Sequence, residues 1–176
     1  MKEQISNFLW KSTSMSWFWL VVRLYVGYEW IVAGWAKVTS EAWVGGGAGS
    51  ALTGFLKGAL AKTGGAHPDV QAWYATFLEH IILPHTTIWS NIVAWGEIAV
   101  GIGLILGILT SVAAFFGFFM NLNYLLAGTV STNPILLMLS IGLMLAWRIN
   151  GRIGLDHYFN FYRFTKSRVS PLSTHK

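Results

Sequence analysis

At 176 residues the chain has the length of one domain, yet only 11% of it is charged, against about 25% in soluble domains, and 54% is apolar. That composition excludes both a water-soluble globule and an intrinsically disordered chain. The absence of cysteine excludes disulfides, thiol redox chemistry and cysteine-ligated zinc or iron–sulfur centres, and the net charge of +5 lies near the chain ends rather than in a stripe that would bind nucleic acid.

The first apolar segment runs over 16–37, preceded by Lys2 and Lys11. It is long enough to span a bilayer, and no small-residue cleavage site marks it as a removable signal. The stretch 38–86 is the one large piece expected outside the membrane. Gly45 to Ser50 reads as a flexible stretch or a backbone bend. Ala51 to Thr63 has the spacing of a short helix with Leu52, Phe55, Leu56, Ala59 and Leu60 on one face. Asp69 is the expected N-cap of a second helix carrying Trp73, Phe77 and Leu78. From Ile98 to Trp147 there are 50 residues without a single Asp, Glu, Lys or Arg. One span needs about 20 residues, so this stretch folds back. Turn signals at Leu109-Thr110-Ser111 and at Ser131 to Pro134 divide it into spans 87–108, 111–129 and 134–150. The tail after Gly154 is aromatic and basic and reads as an interfacial helix.

The expected fold is all-α: one domain over 1–176, an integral membrane four-helix bundle with short interfacial helices in the first extracytoplasmic loop. Continuous rather than alternating apolar segments exclude a membrane barrel. Lys2, Lys11, Arg148, Arg152, Arg163, Lys166, Arg168 and Lys176 flank the first and last spans, which places both termini in the cytoplasm.

Arg23, Glu29 and Glu97 lie inside these spans, where each charge costs about 2.5–3.5 kcal/mol on insertion scales. Arg23, Gly27, Trp30, Gly34 and Lys37 share one face of the first helix. Glu29 and Glu97 lie near mid-depth, as do Asn121, Asn123 and Tyr124 of the third span. Such groups can be interhelical glue. Gathered at one depth among Trp, Phe and Leu, they also suit a pocket for an amphipathic ligand such as a quinone, whose reduction takes up two protons. In that reading Arg23, Glu29 and Glu97 are the catalytic candidates. Trp30, Lys37, Asn121, Asn123 and Tyr124 are ligand-binding candidates, and Lys37 and Arg148 join Arg23 as anion stabilisers. Gly96, Gly103 and Gly107 share a face expected to pack closely. His67, His80 and His85 lack metal-ligand spacing, and no paired histidines suit a haem, so no metal or haem is expected.

Arg23-Leu24-Tyr25-Val26-Gly27-Tyr28-Glu29-Trp30 with Ala33-Gly34-Trp35-Ala36-Lys37 resembles the first-helix signature of the DoxX/DoxD family. Gly96-Glu97, Gly101 to Leu104 and Leu106 to Thr110 resemble its second helix. Asn121 to Tyr124, Gly128 and Asn133-Pro134 resemble its third helix and turn, and Gly151-Arg152 and Gly154 to Asp156 its ending. The resemblance implies a four-helix membrane protein like the membrane subunit of thiosulfate:quinone oxidoreductase, which oxidises thiosulfate to tetrathionate. The partners expected are the lipid bilayer, a quinone as bound substrate, a second redox subunit and further copies of the chain in a homo-oligomer. A non-catalytic anchor for a redox partner and a small transporter are the alternatives. No cysteine or metal site carries electrons, so they pass directly from a donor or through a partner.

Overall fold

A computed structural model describes Trp10 and residues 12–159. The basic residues Lys2, Lys11, Arg163, Lys166, Arg168 and Lys176 and most of the expected tail helix lie outside the described residues. Every regular element described is helical. A 3-10 turn, Thr13–Met15, leads into α1 (Ser16–Val38). The long connection then holds α2 (Ser50–Leu60) and α3 (Ala72–Phe77). A π turn (Leu78–Ile82) and a 3-10 turn (Leu83–His85) carry α3 into α4 (Thr86–Leu106). There follow α5 (Thr110–Leu126), α6 (Asn133–Leu145) and the short α7 (Asp156–Phe159).

The helices α1, α4, α5 and α6 stand side by side. α1 packs mainly on α4 and also on α6, and α5 packs on α4 and α6, which closes a ring. Among the described residues, one continuous helical run, Ala72–Leu106, is both long and apolar enough to cross a membrane. α5 and α6 are apolar but shorter, and α1 has the length but carries Arg23, Glu29 and Lys37.

Glycines set the α1–α4 crossing. A Cβ on Gly101 would stand 2.6 Å from Ile31 and 2.9 Å from the Gly27 carbonyl, and one on Gly34 would stand 2.8 Å from the Ile98 amide. Backbones can approach this closely only without side chains. Close packing on α1 therefore falls on Gly101. Of the expected trio, Gly103 packs on Ala113, whereas Gly96 has only the Met120 sulfur within 4 Å, at 3.8 Å. Gly107 ends α4 in the left-handed region (φ 68°).

The C-terminal limits of the later helices also shift inward. α4 stops at Leu106 rather than 108, α5 at Leu126 rather than 129, and α6 at Leu145 rather than 150. Residues 146–152 continue as turns.

In the connection one expectation fails and one open choice is decided. Gln71, not Asp69, is the N-cap residue of α3. Val70 is fully buried and its amide bonds the Lys62 carbonyl, so the chain stays non-helical until Gln71. This changes the face: Tyr74 and Leu78 are buried while Trp73 is 63% exposed. Gly45 to Ser50 is a series of turns, the backbone bend of the two alternatives. Gly49 (φ 94°) lies so close to Thr86 and Thr87 that a Cβ would be 2.8 Å from the Thr87 amide. The Thr87 hydroxyl bonds the Ala48 carbonyl and Ser90 bonds the Trp43 carbonyl, tying the turns to α4.

Candidate functional site

Glu97 is completely buried in α4, and the helices on either side answer its charge. From the last turn of α1, Lys37 Nζ donates to Glu97 Oε2 at 2.7 Å. From α5, Tyr124 Oη donates to Glu97 Oε1 at 2.5 Å. Gly34 lets this happen, since its missing Cβ leaves the α4 backbone and Glu97 Cβ against α1. The Lys37 side chain keeps 19% of its surface exposed against 1% for Glu97, and its ammonium lies 5.2 Å from the centre of the Trp43 ring. The carboxylate is thus sealed inside, while its cation reaches the end of the bundle that carries residues 39–85.

Tyr124 also borders a groove of about 800 Å³ between α4 and α5, capped at one end by α2 and α3. The walls are almost wholly apolar. Gly96, Ala99 and Gly103 form its floor on α4, Val112, Phe116, Phe119 and Met120 its α5 side, and Leu52, Phe55, Leu56 and Phe77 its cap. The polar exceptions gather at the capped end: Tyr124, Asn123 and Tyr74. Tyr74 Oη donates to Asn123 Oδ1 at 3.0 Å, while Asn123 Nδ2 bonds the Phe119 carbonyl one turn back. The groove runs on to Ile108 and Leu109 at the opposite end. Its volume lies within the usual range for small-molecule sites.

The structure therefore brings together Lys37, Glu97, Tyr124 and Asn123 of the residues singled out in the sequence. Trp30 and Asn121 are buried in the core without lining the groove, and neither the Trp30 indole N–H nor the Asn121 amide has a hydrogen-bond partner among the described residues. Glu29 is half-buried on α1, away from the groove, with no ion pair or hydrogen bond to a described residue. Arg148 lies over the Trp147 ring, beyond α6.

Arg23 is 2% exposed and stands at the far end of the bundle. Its guanidinium donates to the Asn150 carbonyl at 2.9 Å and the Ile153 carbonyl at 2.6 Å. Gly107 and Gly154 make room for it, since a Cβ on either would fall within 2.8 Å of Nη1. The same end holds Asp156, which accepts from the Leu109 and Thr110 amides and from the Thr110 hydroxyl. Asp156 thereby caps α5 from 46 residues away, and its own amide bonds the Gly107 carbonyl. Sequence reading passed over Tyr74, Asn150 and Asp156 as working residues. Only the run Gly96, Ala99 and Gly103, small residues opposite the packed face of α4, hinted at the groove.

The fold and site define a small all-helical protein in which a buried, paired carboxylate stands beside the polar head of an apolar groove. The chain belongs to the DoxX family, whose model matches residues 18–129, from the first turn of α1 to just beyond α5. That family is membrane-associated. No curated protein and no solved structure matches the chain.

Proposed function

We propose that the chain is a four-span membrane protein that binds a quinone in the α4–α5 groove and reduces it, a quinone-linked oxidoreductase resembling the membrane subunit of thiosulfate:quinone oxidoreductase. The outward faces support the membrane placement. Trp17, Tyr28, Trp35, Trp95, Phe116, Phe119 and Met138 are exposed around the ring, a surface that water would not tolerate but lipid would. At 1.5 Å per residue α1 and α4 are about 34 and 31 Å long, matching a hydrocarbon core of about 30 Å. The shorter α5 and α6 are lengthened by their turns. Both termini lie in the cytoplasm and residues 39–85 outside.

The observation that carries the reading is the Lys37–Glu97–Tyr124 cluster at the polar head of an otherwise apolar groove. A quinone ring at that head presents a carbonyl oxygen to Tyr124 and Asn123, and its apolar tail follows the groove. Tyr124 can donate a proton to that oxygen and regain one from Glu97, and Lys37 stabilises negative charge nearby in a low-dielectric site. Reduction to the quinol takes up two electrons and two protons. The donor couple that the resemblance implies, two thiosulfates joined as tetrathionate, releases two electrons. Arg23 holds the opposite end of the bundle together and takes no part in the chemistry.

The test is the lipid-soluble content of the purified protein, followed by quinone reduction with thiosulfate and a panel of other donors. Bound quinone, and turnover lost in Tyr124→Phe and Glu97→Gln, are expected. A co-purifying soluble protein with no bound quinone would replace this reading with that of an anchor. Solute flux in liposomes without redox turnover would replace it with that of a transporter.

A further inference from the structure

We infer that Glu97 exchanges its proton with the water at the end of the bundle carrying residues 39–85, through Lys37, and is closed to water at the Arg23 end. Protons passed to a groove-bound ligand at Tyr124 then come from the loop side alone. The inference rests on the membrane and groove reading above and adds a direction to it.

The asymmetry is built into the packing. On the loop side the path is two hydrogen bonds long: Tyr124 Oη to Glu97 Oε1, and Glu97 Oε2 to Lys37 Nζ, whose side chain reaches the surface. The titratable or charged groups around Glu97 are Lys37 from α1 and Tyr124 from α5, with Tyr74 of α3 beyond Tyr124. Toward the Arg23 end no chain of hydrogen bonds leads from Glu97 among the described residues. An inward route would begin at such buried core groups as Asn121, the Trp30 indole and Ser140, which make no hydrogen bond to a described residue. Next come Val26, Val100 and Leu104, all buried and apolar, beside the glycine-to-backbone contact of Gly27 and Gly101. The end itself is shut by the Arg23 hydrogen bonds and by Gly107 lying against Gly154.

The proton steps balance. Tyr124 gives its proton to an oxygen of the ligand. Lys37 gives one to the Glu97 carboxylate, and Glu97 gives one to the Tyr124 oxygen. Water on the loop side restores Lys37. One proton has then moved from that water to the ligand, only O–H and N–H bonds have changed, and no electrons have moved.

A hydrophobic carbodiimide modifies a buried carboxyl only while it is protonated, so its rate of attachment to Glu97, read by mass spectrometry, reports the protonation of that residue without any turnover. The full chain is reconstituted in vesicles in one orientation, and each face is acidified in turn. Acidifying the loop side should raise the rate, by at most roughly tenfold per pH unit. Acidifying the Arg23 side should leave it unchanged until a protonophore is added. Modification that follows the pH of the Arg23 side, or that ignores both, would overturn the inference. Absence of quinone reduction in the same preparation would instead refute the proposed function and leave the sidedness result standing.

Discussion

Replacing Arg23 by glutamine separates a structural cation from a catalytic one. Arg23 is buried and donates to two main-chain carbonyls, those of Asn150 and Ile153. Glutamine is too short to reach both, which leaves one buried and one part-buried acceptor without this donor. At about 1.5–3 kcal/mol for each hydrogen bond to a charged group, the loss is roughly 3–6 kcal/mol. By the usual conversion for chains of this size, that lowers the melting temperature by roughly 6–24 °C. The assay is tryptophan-fluorescence melting of the detergent-solubilised protein, with quinone binding measured on the fraction still folded. Gly154→Ala is the companion variant. It changes no charge, yet its Cβ would lie 2.8 Å from Arg23 Nη1 and 3.0 Å from Gly107 Cα. It should therefore reproduce the destabilisation and leave binding in the folded fraction intact. If Arg23→Gln melts with the wild type but no longer binds or reduces quinone, the assignment of Arg23 to the bundle end is wrong and its catalytic role is restored.

The remaining expectations concern the carboxylate, the groove and the α5 cap. Lys37→Met strands the buried Glu97 charge and should destabilise by about 3–5 kcal/mol, with most of the loss recovered in the Lys37→Met, Glu97→Gln double variant; equal melting of the two would contradict the pairing. Gly96→Leu places a side chain in the open groove and should block quinone binding while melting at or slightly above wild type, since leucine is a better helix former than glycine. Asp156→Ala removes three acceptor contacts at the start of α5 and should cost about 2–4 kcal/mol, Asp156→Asn about half of that, both read in the same melting assay. Gly101→Ala drives a Cβ into Ile31 and the Gly27 carbonyl and should cost about 1–3 kcal/mol.

Periodicity and charge in the linear chain were sufficient for the helical class, the approximate positions of α1, α4, α5 and α6, and the burial of Glu97, because long apolar runs of this kind read as helix and a lone carboxylate among apolar residues is least costly facing inward. The shared face of Arg23, Gly27, Trp30 and Gly34 was legible for the same reason, and all four are buried. What each polar group touches was not legible. Arg23 and Lys37 lie on the same stripe, yet one meets the carbonyls of Asn150 and Ile153 and the other meets Glu97. Those partners are 60 to 130 residues away along the chain, and only the pairing of α1 with α4 and the return of residues 150–156 bring them close. The start of α3 was missed because a buried Val70, held through Lys62, outweighed the local capping preference of Asp69. Beyond the small residues of α4, the groove has no linear signature. It exists because α2 and α3 fold over one end of α4 and α5 while the small residues Gly96, Ala99 and Gly103 leave the space between those helices unfilled, and a void is a property of packing rather than of sequence.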